Sequence, residues 1–130
     1  MEQAPSIDEW LAEAKREDSA DGVGMYLVHN GVVRRTPRVQ VREGATADSE
    51  VTGMSFDYDE TKVNAAIEEA KRLDGVVYVK VWCNRGNLKV GDTIMQVLIG
   101  ADIRPHAVAA LQFLVGEIKE NCVREDEVLS

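Results

Sequence analysis

Two helical stripes separate groups of strand-like segments, and this order constrains the fold more than any other feature of the chain. One stripe is Val63, Ala66, Ile67, Ala70 and Leu73. The other runs through "RPHAVAALQFLVGEIKENC", residues 104–122, with Val108, Leu111, Leu114, Val115 and Ile118 on the face expected to meet the core. Between them stand "VVYVKVWCN", rich in β-branched residues, and "TIMQVLIGA", which reads as a largely buried strand. Strands grouped between helices, not strictly alternating with them, argue for an α+β fold over a doubly wound sheet.

Local signals place the ends of these elements. Ser6 and Glu9 form an S-x-x-E capping box ahead of a first helix, which carries Ile7, Trp10, Leu11 and Ala14 on one face. Asp59 suits an N-cap, Asp74-Gly75 a helix end, and Pro105 the first turn of the last helix. "GVGMYLVHNGVVRR" predicts two strands joined by a tight turn at Asn30-Gly31, because Asn-Gly tolerates the positive φ angles of a hairpin. A short strand is expected around Val39–Val41, then a polar loop, and "RGNLKVGD" is expected to be a turn-rich connection. The predicted order is α-β-β-(β)-β-α-β-β-α.

A chain of 130 residues without an internal repeat or linker predicts one domain, 1–130. No apolar run approaches the roughly 20 residues of a membrane helix, and "MEQAPSIDEW" has neither the basic nor the apolar region of a signal peptide. The expectation is a cytoplasmic protein with no membrane partner. A formal charge of −8 argues against nonspecific nucleic-acid binding. Cys83 and Cys122 form no CxxC pair, and His29 and His106 lack metal-ligand spacing, so free thiols and no metal are expected. No nucleophile–histidine–acid set and no P-loop can be built, and "GVG" at 22–24 precedes a strand, unlike a dinucleotide fingerprint.

Cations remain as candidates for chemistry. "RRTPRVQVR" holds Arg34, Arg35, Arg38 and Arg42 without an acid, so a focused positive patch can oppose the global charge. Arg104 stands at a strand-to-helix junction, where backbone N–H groups also favour anions. Lys119 lies near the exit of the same helix, a position that the helix dipole alone would favour. Each cation taken singly reads as a solvated surface charge. Arg104 and Lys119 are separated by roughly 22 Å of helix at about 1.5 Å per residue. They cannot hold one small anion within a single chain, but a symmetric dimer could bring them together.

The segments "GMYLVHNGVVR", "FDYDETKVNAAIEEAKR", "NRGNLKVGDTIMQVLIGADIR" and "AVAALQFLVGEIK" occur in an order that resembles the large, catalytic subunit of molybdopterin synthase, the MoaE family. The resemblance is strongest over residues 22–120. It implies an α/β-hammerhead-like fold with an additional antiparallel sheet, and a homodimer. It implies a small ubiquitin-like partner whose C-terminal Gly-Gly thiocarboxylate gives sulfur to cyclic pyranopterin monophosphate, an anionic pterin, in molybdenum cofactor biosynthesis. No metal or organic cofactor is required. By resemblance Lys119 matches a catalytic lysine, and Arg34 and Arg104 match substrate-binding arginines, Arg104 serving the pocket of the dimer mate. The chain departs from the family where Ile103 replaces a histidine before Arg104 and where no Trp-Lys pair follows Lys119. In that stretch only Arg124 can supply a further cation, and His29 stands where an aromatic residue is common. The implied activity is that of a sulfurtransferase subunit with its catalytic residues partly retained. The alternatives are a non-catalytic homologue acting as a dimeric binding or regulatory module, and an unrelated α+β interaction protein.

Overall fold

The structure is a computed structural model that describes residues 2–38 and 50–130. The strand expected at Val39–Val41 and most of the loop after it lie outside the described residues. Among the described residues the order is α1 (Ile7–Lys15), a 3-10 turn (Asp18–Gly22), β1 (Met25–Val32), β2 (Val51–Tyr58), α2 (Glu60–Lys71), β3 (Val76–Cys83), β4 (Gly86–Lys89), β5 (Thr93–Ala101), α3 (Arg104–Glu117), a π turn (Ile118–Cys122) and β6 (Val123–Leu129). The strands form two antiparallel three-stranded sheets, ordered β1-β5-β3 and β4-β2-β6.

β5 is the centre of the first sheet and is covered on both faces. Leu98 packs beneath Trp10 and Ala14 of α1, with Tyr26 and Tyr78 at its sides. Val97, Ile99 and Ala101 face the main core, which they share with α2, α3 and the second sheet. That double covering explains why residues 93–101 are nearly continuous in apolar character. Gln96 is the polar exception on this strand. Its amide is buried and donates to the Pro5 carbonyl at 3.3 Å, which fixes the N-terminal segment to the sheet.

The helix signals act as read. Ser6 Oγ accepts from Glu9 N–H at 3.3 Å, and an Asp59 carboxylate oxygen accepts from Lys62 N–H at 3.1 Å. Gly75 takes φ +74° after α2, a conformation that glycine adopts without a Cβ clash.

Four expectations are corrected. Asn30-Gly31 is not a turn: β1 continues through it, with Asn30 opposite Gln96 and Gly31 opposite Met95, and the register shifts only between Gly31 and Val32. The long ladder to β5 outweighs the local turn preference of the dipeptide. "RGNLKVGD" is not only a connection, since Gly86–Lys89 pairs with β2 and buries Leu88. The charged C-terminal segment is a strand, with β6 pairing along the other edge of β2. Finally, α3 is rotated from the expected face. Ala107, Ala110, Leu114 and Ile118 are buried, Leu111 and Val115 are partly buried, and Val108 is 38% exposed. Small residues at 107 and 110 allow the helix backbone to approach the sheet closely.

Candidate functional site: a mixed-charge cleft at the end of the third helix

The last turn of α3 passes into the π turn, whose ends are fixed by burial. Ile118 is 0% exposed and Cys122 is buried. The Cys122 carbonyl accepts from Asp59 N–H at 2.8 Å, and its thiol meets the Glu117 carbonyl at 3.7 Å. Lys119 lies between these anchors and lines a cleft of about 390 Å³ with Arg38, Glu120 and Glu125. A smaller adjoining recess of about 100 Å³ is shared by Arg34, Arg38, Lys119, Glu125 and Glu127.

β6 supplies the acidic wall. Val123, Glu125 and Glu127 alternate with the exposed Arg124 and Asp126, so one face of the strand looks into the cleft. The Glu125 side chain is only 8% exposed. One of its oxygens accepts from Arg38 Nη2 at 2.7 Å, and the other lies 3.6 Å from Lys119 Nζ. Arg38 N–H donates to the Glu127 carboxylate at 3.2 Å. Arg34 is exposed, its Nε donating to the Thr36 carbonyl at 3.0 Å. Three cations therefore surround a carboxylate that bridges two of them. Such a site can bind an anion by displacement and offers an amine for proton transfer.

The structure brings Arg34 and Lys119 together and leaves the other two candidate cations elsewhere. Arg104 is exposed at the opposite end of α3. Arg124 points away from the cleft, 86% exposed and 3.7 Å from Asp126. Sequence reasoning placed Arg38 only within the basic cluster 34–42 and assigned no site role to Glu125 or Glu127. The arginine cluster was visible, but the two acids show their common face only once 123–129 is known to be a strand.

His29 borders this region from β1. Odd-numbered residues of that strand face the main core and α3, and Gly31 leaves the space into which the His29 ring projects. A Cβ at position 31 would lie 3.3 Å from His29 Nε2. That nitrogen is buried without a hydrogen-bond partner among the described residues. Burial first, and then the charge of Lys119, hold the imidazole below its ordinary value. His106 is engaged elsewhere, its Nδ1 2.7 Å from Asp102. Burial, with a smaller effect of Cys122, pushes the Cys83 thiol up to about 12, which makes it a poor nucleophile. Among the described residues no group of three or more side chains could hold a metal ion, and no helix is long and apolar enough to cross a membrane.

Comparison with known proteins identifies the family and the fold. The family described as MoaE protein matches residues 2–121. An uncharacterized protein of Methanocaldococcus jannaschii is 30% identical over 98 residues, covering 75% of this chain and 78% of that protein. Molybdopterin synthase from Staphylococcus aureus superposes with a TM-score of 0.73 at 17% identity, over 98% of this chain and 88% of the other. The MoaE protein of Burkholderia ambifaria gives 0.72 at 17% identity, over 99% and 85%. The complex of subunits 1 and 2 of the molybdopterin-converting factor from Helicobacter pylori gives 0.66 at 21% identity, over 98% and 81%. These structures share the α+β, hammerhead-like architecture with its additional antiparallel sheet.

Proposed function

Because the chain belongs to the MoaE family, we propose that it works in molybdenum cofactor biosynthesis as the large subunit of a molybdopterin synthase. Sulfur passes from the C-terminal Gly-Gly thiocarboxylate of a small ubiquitin-like subunit to cyclic pyranopterin monophosphate, and builds the dithiolene. The observation that carries this reading is the convergence of Arg38 and Lys119 on one cleft at the end of α3, with Arg34 joining them in the adjoining recess. Arginines suit the substrate's phosphate because they hold charge and planar donors at every working pH. Lys119 is positioned to exchange protons and to offset negative charge as the thiocarboxylate attacks. The two-subunit complex of the Helicobacter pylori relative supports a small-subunit partner. Arg104, far from Lys119 within its own chain, completes the site from a second copy in a homodimer. The protein acts in the cytoplasm.

One observation favours a second reading, a non-catalytic dimeric binding or regulatory module. The β6 residue facing Lys119 is an acid, Glu125, while Arg124 faces away. No second lysine follows Lys119, and Ile103 precedes Arg104.

The test is to mix the purified protein with thiocarboxylated small subunit and cyclic pyranopterin monophosphate, and to measure dithiolene product. Product above the no-enzyme control supports the synthase reading. Small-subunit binding without product, beside an active reference synthase, supports the binding module. Neither binding nor product refutes both.

A further inference from the structure

One buried polar atom beside the cleft lacks a partner. His29 Nε2 is shielded from solvent and has no hydrogen-bond partner among the described residues. Buried polar atoms are almost always paired, so an unpaired one marks a place where a donor or acceptor can arrive. The ring projects into the space that Gly31 leaves on β1, and β5 presents Val97 opposite. The charged groups that line the recess at this end of β1 are Lys119 of the π turn, Glu125 and Glu127 of β6, and Arg34 and Arg38 of the segment after β1. Of these, Lys119 is the one whose charge acts on the imidazole. Its ammonium lies 3.6 Å from Glu125, beyond the usual length of a hydrogen bond, so this ion pair leaves room for a second acceptor. A lysine donor without a close acceptor on β6 and a buried acceptor without a donor on β1 thus border the same cleft.

We propose that His29 is a positioning residue for Lys119: its inward Nε2 lone pair accepts a hydrogen bond from the lysine ammonium and gives that head group an inner seat, opposite its outer seat at Glu125. An Nε2 that faces a cation keeps its lone pair inward and carries the ring proton on Nδ1. The flexible four-carbon stem of lysine lets the ammonium pass between the two seats. At Glu125 its charge is offset by a carboxylate. At a neutral imidazole it keeps its full charge for an incoming anion and stays oriented. A protonated His29 repels the ammonium and closes the inner seat, so the arrangement works only while the imidazole is neutral. The use of this pairing in catalysis rests on the synthase reading, but the pairing itself requires neither the small subunit nor sulfur transfer.

The experiment is nitrogen-15 NMR of the imidazole rings in the full chain across a pH series. The sequence has only His29 and His106, so the spectrum is simple. Wild-type His29 should show an unprotonated Nε2 and a proton on Nδ1. Lys119→Met removes the charge and the donor but keeps an unbranched side chain. It should raise the titration midpoint of His29 by about half a pH unit or more, the direction expected when a neighbouring cation is lost. Lys15→Met, the same change on the exposed side of α1, should leave the midpoint where it is. A proton on Nε2 in the wild type overturns the proposal, as does an unchanged midpoint in a folded Lys119→Met protein or an equal rise in Lys15→Met. If Lys119→Met fails to fold, Lys119→Gln carries the same expectation and the same refutation. In the dithiolene assay, His29→Gln offers an acceptor that does not titrate, so the fall in rate on the acid side should be smaller than in wild type. His29→Phe offers no acceptor and should lower kcat severalfold with KM unchanged. Wild-type rates for a folded His29→Phe protein at every pH overturn the positioning role. A shifted midpoint without dithiolene product would leave the pairing standing and sink the synthase reading, and an unshifted midpoint with product intact would do the reverse.

Discussion

Replacement of Ile118 by Ala tests the anchor that places Lys119. The Ile118 side chain is 0% exposed at the junction of α3 and the π turn, within the main core. Truncation removes buried methyl and methylene groups and leaves a cavity that a sheet-backed site cannot collapse. For Ile→Ala changes this costs about 2–5 kcal/mol, and full burial places the value at about 3–4 kcal/mol. Against a total of about 5–15 kcal/mol for a domain, that is a large fraction of the stability. Urea unfolding followed by the fluorescence of Trp10 and Trp82 measures it directly, since both residues belong to the α1-side core. The melting temperature should fall by roughly 10–15 °C, at about 3–5 °C per kcal/mol for a chain of this size. Val108→Ala on the exposed face of the same helix should change stability by less than about 0.5 kcal/mol. A loss below about 1 kcal/mol for Ile118→Ala, or equal losses for both variants, would refute the packing assigned to the π turn.

Two further outcomes follow from buried groups. His29 favours its neutral form in the folded chain, whereas the unfolded chain protonates it near 6.5. The unfolded state therefore binds more protons as pH falls, so the contribution of His29 is full above about pH 6.5 and declines as pH falls through that value. Urea midpoints measured across this window should show the decline in wild type, and His29→Phe should lose that part of the slope. An unchanged slope would remove His29 as its source. The thiols of Cys83 and Cys122 are both buried, so a thiol reagent at mildly alkaline pH should label the native chain slowly and the urea-unfolded chain rapidly. Rapid native labelling at Cys83 would contradict its burial.

The legible parts of the fold are those where local and tertiary preferences agree. β5 is apolar because both of its faces are covered, and α2 carries its cap, stripe and terminating glycine in plain view. Asn30-Gly31 misleads because its turn chemistry competes with an eight-residue ladder that only the assembled sheet provides. The rotation of α3 is hidden because Ala107 and Ala110 look unremarkable beside Val108, although close approach to the sheet favours the smaller side chains. β6 gives no apolar alternation. Its facing residues Glu125 and Glu127 pair with Arg38, which is remote in sequence. The site was therefore half readable. Arg34 and Lys119 stood out as cations at structural junctions, while the acids that occupy their cleft required the strand pairing to be known.

The most direct test of the account is the rate of dithiolene formation by wild type and Lys119→Ala under identical conditions, each with thiocarboxylated small subunit and cyclic pyranopterin monophosphate. General acid–base catalysis contributes about 10²–10⁴-fold, so the variant should lose at least about a hundredfold in rate while keeping wild-type unfolding behaviour and small-subunit binding. Product formed at the wild-type rate by a folded Lys119→Ala protein would contradict the assignment of the chemistry to this cleft.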